Sequence, residues 1–194
     1  MPYFIDPMYL LLVVLPGLLI SGVASFLVKS AFNRYSRVRS RRGYTGAQAA
    51  QTLLDRAGIS DVRIVPARGF LSDHYNPTNK TLALSEQVYS SNSVAAIGVA
   101  THEAGHAIQH ATHYAPLWLR SALVPTVGIG SKLGLMMMMI GLFLQYGAGN
   151  KLGDFLVVIG AILFSAVLLF QLVTLPVEFN ASSRAKRLVV EAGI

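Results

Sequence analysis

Three long stretches of the chain are predominantly apolar. Pro7 to Val28 is a run of 22 residues without a charge, and about 20 apolar residues span a bilayer as a helix. Phe155 to Val177 is a second such run, 23 residues long. Between them Ser121 to Tyr146 is interrupted by Lys132 and carries Gly128, Gly130, Gly134 and Gly141. The pattern predicts transmembrane helices at 7–28, 121–146 and 155–177. Met136 to Met139 read as lipid-facing filler, because methionine is a flexible apolar side chain. Lys132 reads as a side chain that snorkels to the nearer interface.

The block from 30 to 118 has a different texture and is large enough for a compact domain leaning on membrane helices. Thr45 to Ala57 has helical spacing, with Ala49, Ala50, Leu53, Leu54 and Ala57 on one side and Gly58 as its stop. Val62 to Val65 reads as a strand ending at Pro66. Gly69 to Tyr75 and Thr81 to Leu84 read as two more, with Asn76-Pro77-Thr78-Asn79 as turn material between them. Thr81 to Leu84 is expected to be an edge strand that holds a peptide extended. Ser91 or Asn92 is expected to cap a helix running to about His110, apolar and buried before its polar centre.

Charge orients these elements. The chain has 16 Lys and Arg against 9 Asp and Glu, a formal charge of +7. Charged residues make up only 13% of its 194 residues, against roughly 25% in a soluble domain, and the mean hydropathy is +0.52. Disordered chains, nucleic-acid-binding tails and ordinary water-soluble enzymes are excluded. No cysteine is present, which removes disulfide scaffolds, thiolate metal sites and cysteine nucleophiles. Met1 to Asp6 holds no Lys or Arg, whereas Lys29, Arg34, Arg37, Arg39, Arg41 and Arg42 follow the first span. A signal peptide has the reverse order. The positive-inside rule puts the N-terminus outside and residue 30 onward in the cytoplasm. The second span then leads out, 147–153 forms a short outer loop, and the third returns to Arg184, Lys186 and Arg187. The Arg cluster reads as a stop-transfer anchor on anionic lipid, with no nucleic-acid role.

The chemistry lies in Thr101-His102-Glu103-Ala104-Gly105-His106, an H-E-x-x-H sequence. On a helix, positions four apart share a face, so His102 and His106 can offer two imidazoles to one metal ion. Glu103 stands about a third of a turn round, placed to take a proton from a zinc-bound water that attacks a carbonyl. Zinc needs a third protein ligand while one position stays open. Ile108 and Thr112 break the metzincin pattern. His110 is a further turn along, about 6 Å beyond His106, and reads as an outer histidine. His113 and His74 are alternatives. Glu178 is the strongest candidate: it is the only acid between Asp154 and Glu191, it follows the third span, and the topology returns it to the face of the two histidines.

Leu71-Ser72-Asp73-His74-Tyr75-Asn76-Pro77, Leu84-Ser85-Glu86 with Val88-Tyr89, Ala100 to His110 and Pro176 to Ser182 resemble the YugP-like neutral zinc metallopeptidases of bacterial membranes. More distantly, the chain is similar to HtpX-type and CAAX-prenyl-type membrane peptidases, whose later motif reads Glu-x-x-Ala-Asp-x-x-Ala. Glu178, Ala181 and Ala185 fit that motif, while Ser182 stands where Asp would be. The resemblance implies zinc held by His102, His106 and Glu178, with Glu103 catalytic. Asn180 or Ser182 is then expected to orient a ligand histidine, and Tyr75, His74 or Arg184 to stabilise the oxyanion. Members of the family run on into another apolar segment, so a chain ending at Ile194 is either cut short or naturally brief.

The expected fold is a mainly α membrane protein with a small α+β zincin-like cytoplasmic domain at 30–118 and a cytoplasmic helix at 178–194 carrying the third ligand. The expected activity is zinc-dependent peptide hydrolysis at the cytoplasmic face of a bacterial plasma membrane. Its partners are then a peptide or membrane-protein substrate and the bilayer, with a second copy or another membrane protein left open. The rival reading is a non-catalytic scaffold with a structural or sensory metal site, which a fourth ligand from His74, His110 or His113 would favour. A transporter is weaker still, since three spans with so little charge offer no ion path.

Overall fold

The computed structural model describes residues 7–69, 72–148 and 151–194. It is mostly helical with one small sheet. The chain divides into two compact units, one running up to Ala104 and including Arg187–Ile194, the other spanning Gly105–Lys186.

The first unit begins with α1 (Pro7–Tyr9), a π-helical stretch (Leu10–Val14) and α2 (Leu15–Tyr35). None of the residues in Leu10–Val14 or α2 is buried. The helix does not stop with the apolar run at Val28 but carries Lys29 and Arg34 on to Tyr35. α3 (Gly46–Arg56) starts at a capping box, in which Thr45 Oγ1 accepts from the Gln48 N–H and Gln48 Oε1 accepts from the Thr45 N–H. Two otherwise orphaned donors are satisfied this way. Ala49, Ala50, Leu53 and Leu54 are buried, as the helical spacing requires. Ala57 is instead the exposed C-cap, and Gly58 ends the turn at φ +70°.

The sheet has the order β1 (Arg63–Ala67), β3 (Thr81–Ser85), β2 (His74–Asn76), with β3 parallel to β1 and antiparallel to β2. The expected edge strand at Thr81 to Leu84 is therefore the central strand. Its backbone is paired with β1 along its whole length and with β2 over Thr81–Ala83. Leu82 to Ser85 are all buried, as suits a strand covered on both faces. Pro66 lies inside β1, tolerated because β1 is an edge. The strand expected from Gly69 is reduced to His74–Asn76, and residues 70 and 71 lie outside the described residues. Asp73 closes the β2–β3 corner by accepting from the Ser85 N–H at 2.7 Å, and Lys80 pairs with Asp61.

α4 (Glu86–Tyr89) and the start of α5 (Val94–Ala111) complete this unit. The cap of α5 is Ser93, whose Oγ accepts from the Ala96 N–H, and not Ser91 or Asn92. The returning C-terminus is fixed by two arginines. Arg42 donates to Ala192 O and Arg56 to Glu191 O, satisfying carbonyls that a helix end leaves open. Arg42 thus serves a helix terminus as well as belonging to the basic cluster.

The second unit holds the rest of α5, all of α6 (Ala115–Ala148) and α7 (Lys151–Ala192) up to Lys186. α6 and α7 meet backbone to backbone. A Cβ at Gly134 would lie 2.7 Å from Gly160 O, and one at Gly141 2.7 Å from Gly153 O. Small residues at matched positions allow this close approach. Met138 packs at Gly160, whereas Met136 and Met139 are exposed, as is Lys132. The expected break after Val177 does not occur, because α7 continues through Pro176 as one helix of 42 residues. At 1.5 Å per residue it is about 63 Å long, roughly twice a bilayer's hydrocarbon core. Among the described residues, three helices are long and apolar enough to cross a membrane: Leu10–Tyr35, Ala115–Gln145 and Lys151–Ala192.

Candidate metal centre

α5 brings His102 and His106 to one face, a single turn apart. The small residues around them are what let another helix reach that face. Ala104 and Ala107 are buried, and a Cβ on Gly105 would stand 2.6 Å from Ala181 O. α7 therefore touches the α5 backbone at Gly105. Glu178 lies three residues before Ala181, on the turn of α7 that reaches His106, and its Oε2 is 3.5 Å from His106 Nε2. One nitrogen of each histidine and one Glu178 oxygen all lie within 4.8 Å of one another. His106 is buried, while His102 and Glu178 are half-buried.

The orientation of His106 is set by Gln109. Gln109 Nε2 donates to Val177 O at 2.8 Å and to Asn180 Oδ1 at 3.0 Å, and its side chain is fully buried. That fixes which end of the amide faces His106. Gln109 Oε1 lies 3.0 Å from His106 Nδ1, so Nδ1 donates to it and Nε2 is the ring nitrogen turned towards Glu178. Two ligand atoms on one tetrahedral zinc are about 3.4 Å apart, given bonds of roughly 2.0–2.1 Å. The 3.5 Å separation matches that spacing, and two imidazoles with one carboxylate are a donor set that zinc takes in open sites. The residues fit the ion.

The other candidates fall in two groups. Asn180 is in this cluster: its Oδ1 accepts from Gln109 and also from Arg184 Nε at 2.8 Å. It acts on His106 through Gln109. The Arg184 guanidinium lies 5.8 Å from the centre of the Tyr114 ring, so this side chain is engaged by Asn180 and Tyr114. Ser182 is half-buried on α7, and Glu103 half-buried on α5 next to His102. His74 and Tyr75 sit on β2, where His74 Nδ1 bonds Ser72 O at 2.8 Å. Burial, with the negative charge of Asp61 adding, pushes the Tyr75 phenol up to about 12. His113 adopts φ +52° just past the end of α5. Among the described residues, His74, His110 and His113 are not in the metal-capable group.

Two residues at the site were not anticipated. Gln109 had a local signal, being an amide three residues after a candidate ligand histidine on the same helix face. Arg120 had none. Its Nη2 lies 3.6 Å from Glu178 Oε1, a pairing across 58 positions of sequence.

Residues 9–194 match the family described as "Putative neutral zinc metallopeptidase". The chain is also similar to the "Putative membrane protease YugP" of Bacillus subtilis (strain 168), with 46% identity over 170 residues. That alignment covers 88% of this chain and 72% of the relative. No solved structure matches at a significant level.

Proposed function

The chain belongs to this family of neutral zinc metallopeptidases, and from that premise we propose that it is a membrane-bound zinc endopeptidase working at the cytoplasmic face. One observation carries the reading: two histidines and a carboxylate converge, and among the described residues no third histidine joins them as a fourth ligand. A structural zinc site is closed by four protein ligands, whereas a catalytic site keeps a position open. The arrangement therefore favours hydrolysis over a structural or sensory metal.

His102, His106 and Glu178 would hold the ion. When bound, zinc supplies Lewis acidity that lowers the pKa of water towards neutrality and polarises a carbonyl. Glu103 is the general base: its carboxylate takes the proton of the attacking water and passes it to the leaving amine. Gln109 keeps His106 in the tautomer that presents Nε2, and Asn180 keeps Gln109 in place.

The three long apolar helices and the membrane assignment of the Bacillus relative support a multi-pass protein. The Lys and Arg residues after Val28 and after Val177 support an outside N-terminus and a cytoplasmic site. The substrate class that follows is a peptide or membrane protein presented at that face.

Glu103→Gln tests the reading. The variant is expected to keep one zinc per chain and lose about 10²- to 10⁴-fold of peptide hydrolysis, the range for a general base. His102→Ala and Glu178→Ala are expected to lose the zinc as well. If Glu103→Gln cleaves a peptide as fast as the parent, the general-base assignment is wrong.

A further inference from the structure

The two oxygens of Glu178 face different partners. Oε2 points at His106 Nε2, 3.5 Å away, while Oε1 faces Arg120 Nη2 at 3.6 Å. The Arg120 side chain is about two-thirds buried. Arg120 Nε is buried and has no hydrogen-bond partner. Leaving a donor unsatisfied inside the protein is unfavourable, so something must offset it. The charge of Glu178 is the opposite charge the structure places beside it. Both residues, with His106, belong to the second unit.

We propose that Arg120 is a positioning residue that holds Glu178 Oε1 away from the metal, so that Glu178 binds through Oε2 alone. The inference rests on the proposed function and deepens it. A carboxylate can ligate through one oxygen or two. If both bound, the position that water and substrate need would be occupied. A cation fixed on the far oxygen decides between these modes by favouring charge on Oε1. Arginine suits the task because its planar fork stays charged under all conditions and presents donors in fixed directions. The same positive charge draws electron density from the carboxylate, which leaves a bound ion more acidic.

The experiment compares the full-length parent with Arg120→Met and Arg120→Lys. Zinc affinity is measured by competition with a chelator, and the visible spectrum is recorded after replacing zinc with cobalt(II). Thermal unfolding of the metal-free proteins reports any loss of fold. Arg120→Met is expected to bind zinc about 10-fold more tightly, because a positive charge beside the ion is removed and Oε1 is freed to bind as well. Its cobalt spectrum should weaken, as it does when four-coordinate cobalt becomes five-coordinate. Arg120→Lys keeps the charge without the fork and should fall between the two. A cobalt spectrum for Arg120→Met identical to that of the parent, with unchanged zinc affinity, overturns the inference. If Arg120→Met does not fold, Arg120→Lys decides by the same two readings. A parent that binds no zinc contradicts the proposed function itself, a result separate from either Arg120 outcome.

Discussion

At the scale of single residues, the centre depends on an amide as much as on its ligands. Gln109 makes three hydrogen bonds from a fully buried position. Gln109→Leu removes all three and takes the acceptor from His106 Nδ1, while Asn180 Oδ1 keeps Arg184 Nε. We expect a stability loss of about 1–3 kcal/mol and zinc binding weakened about 10- to 100-fold, read by thermal unfolding and by chelator competition. Gln109→Leu with parental zinc affinity would show that His106 needs no such partner. A second prediction concerns Tyr75, whose phenol ionises near 12 in the folded chain against 10.0 ordinarily. Folding thus favours the protonated form. The stability this contributes is intact below pH 10 and is lost as pH rises through 12. In an alkaline absorbance titration of the eight tyrosines, Tyr75→Phe should remove a late-ionising component. The two histidines were legible in the sequence because their spacing alone puts them on one helix face. Glu178 was legible as a lone acid beside an apolar run. The Glu178–Arg120 pair was not, since no local pattern links residues on different helices.

At the scale of elements, the site exists because α5 and α7 touch at Gly105 and Ala181. Gly105→Ala would favour the isolated helix by about 1 kcal/mol. It would also set a methyl 2.6 Å from a backbone carbonyl, which cannot yield as a flexible side chain can. The expected result is net destabilisation and weakened zinc binding, because separating the helices moves Glu178 from His106. Unfolding and zinc titration of Gly105→Ala check this. A variant more stable than the parent with undiminished zinc affinity would mean the contact is dispensable. The sequence showed the extent of α3 and α5, since helical spacing is local, but set the cap of α5 one or two residues before Ser93. It put Thr81 to Leu84 at the sheet edge rather than its centre, because a strand this short carries no mark of which neighbours it pairs with. It also ended the third long helix at the polar residues after Val177. The span at 155–177 and the helix at 178–194 are one element, since a helix continues past a proline and a change of polarity when neighbouring helices support it.

At the scale of the whole molecule, the charge asymmetry makes a topological prediction that the absence of cysteine renders simple to test. Single cysteines at Ser36 and at Lys151 should label oppositely in intact cells. A membrane-impermeant maleimide should react with Lys151→Cys and not with Ser36→Cys until the cells are opened. The reverse pattern would move the proposed site to the outer face. Whatever the orientation, the account stands on one ion held by three side chains. Diffraction from crystals of the zinc-loaded parent, recorded on both sides of the zinc absorption edge, measures that directly. The account predicts a single anomalous peak bonded to His102, His106 and one oxygen of Glu178, with a remaining position not filled by protein. A peak elsewhere, a fourth protein ligand, or Glu178 turned away from the ion would contradict it.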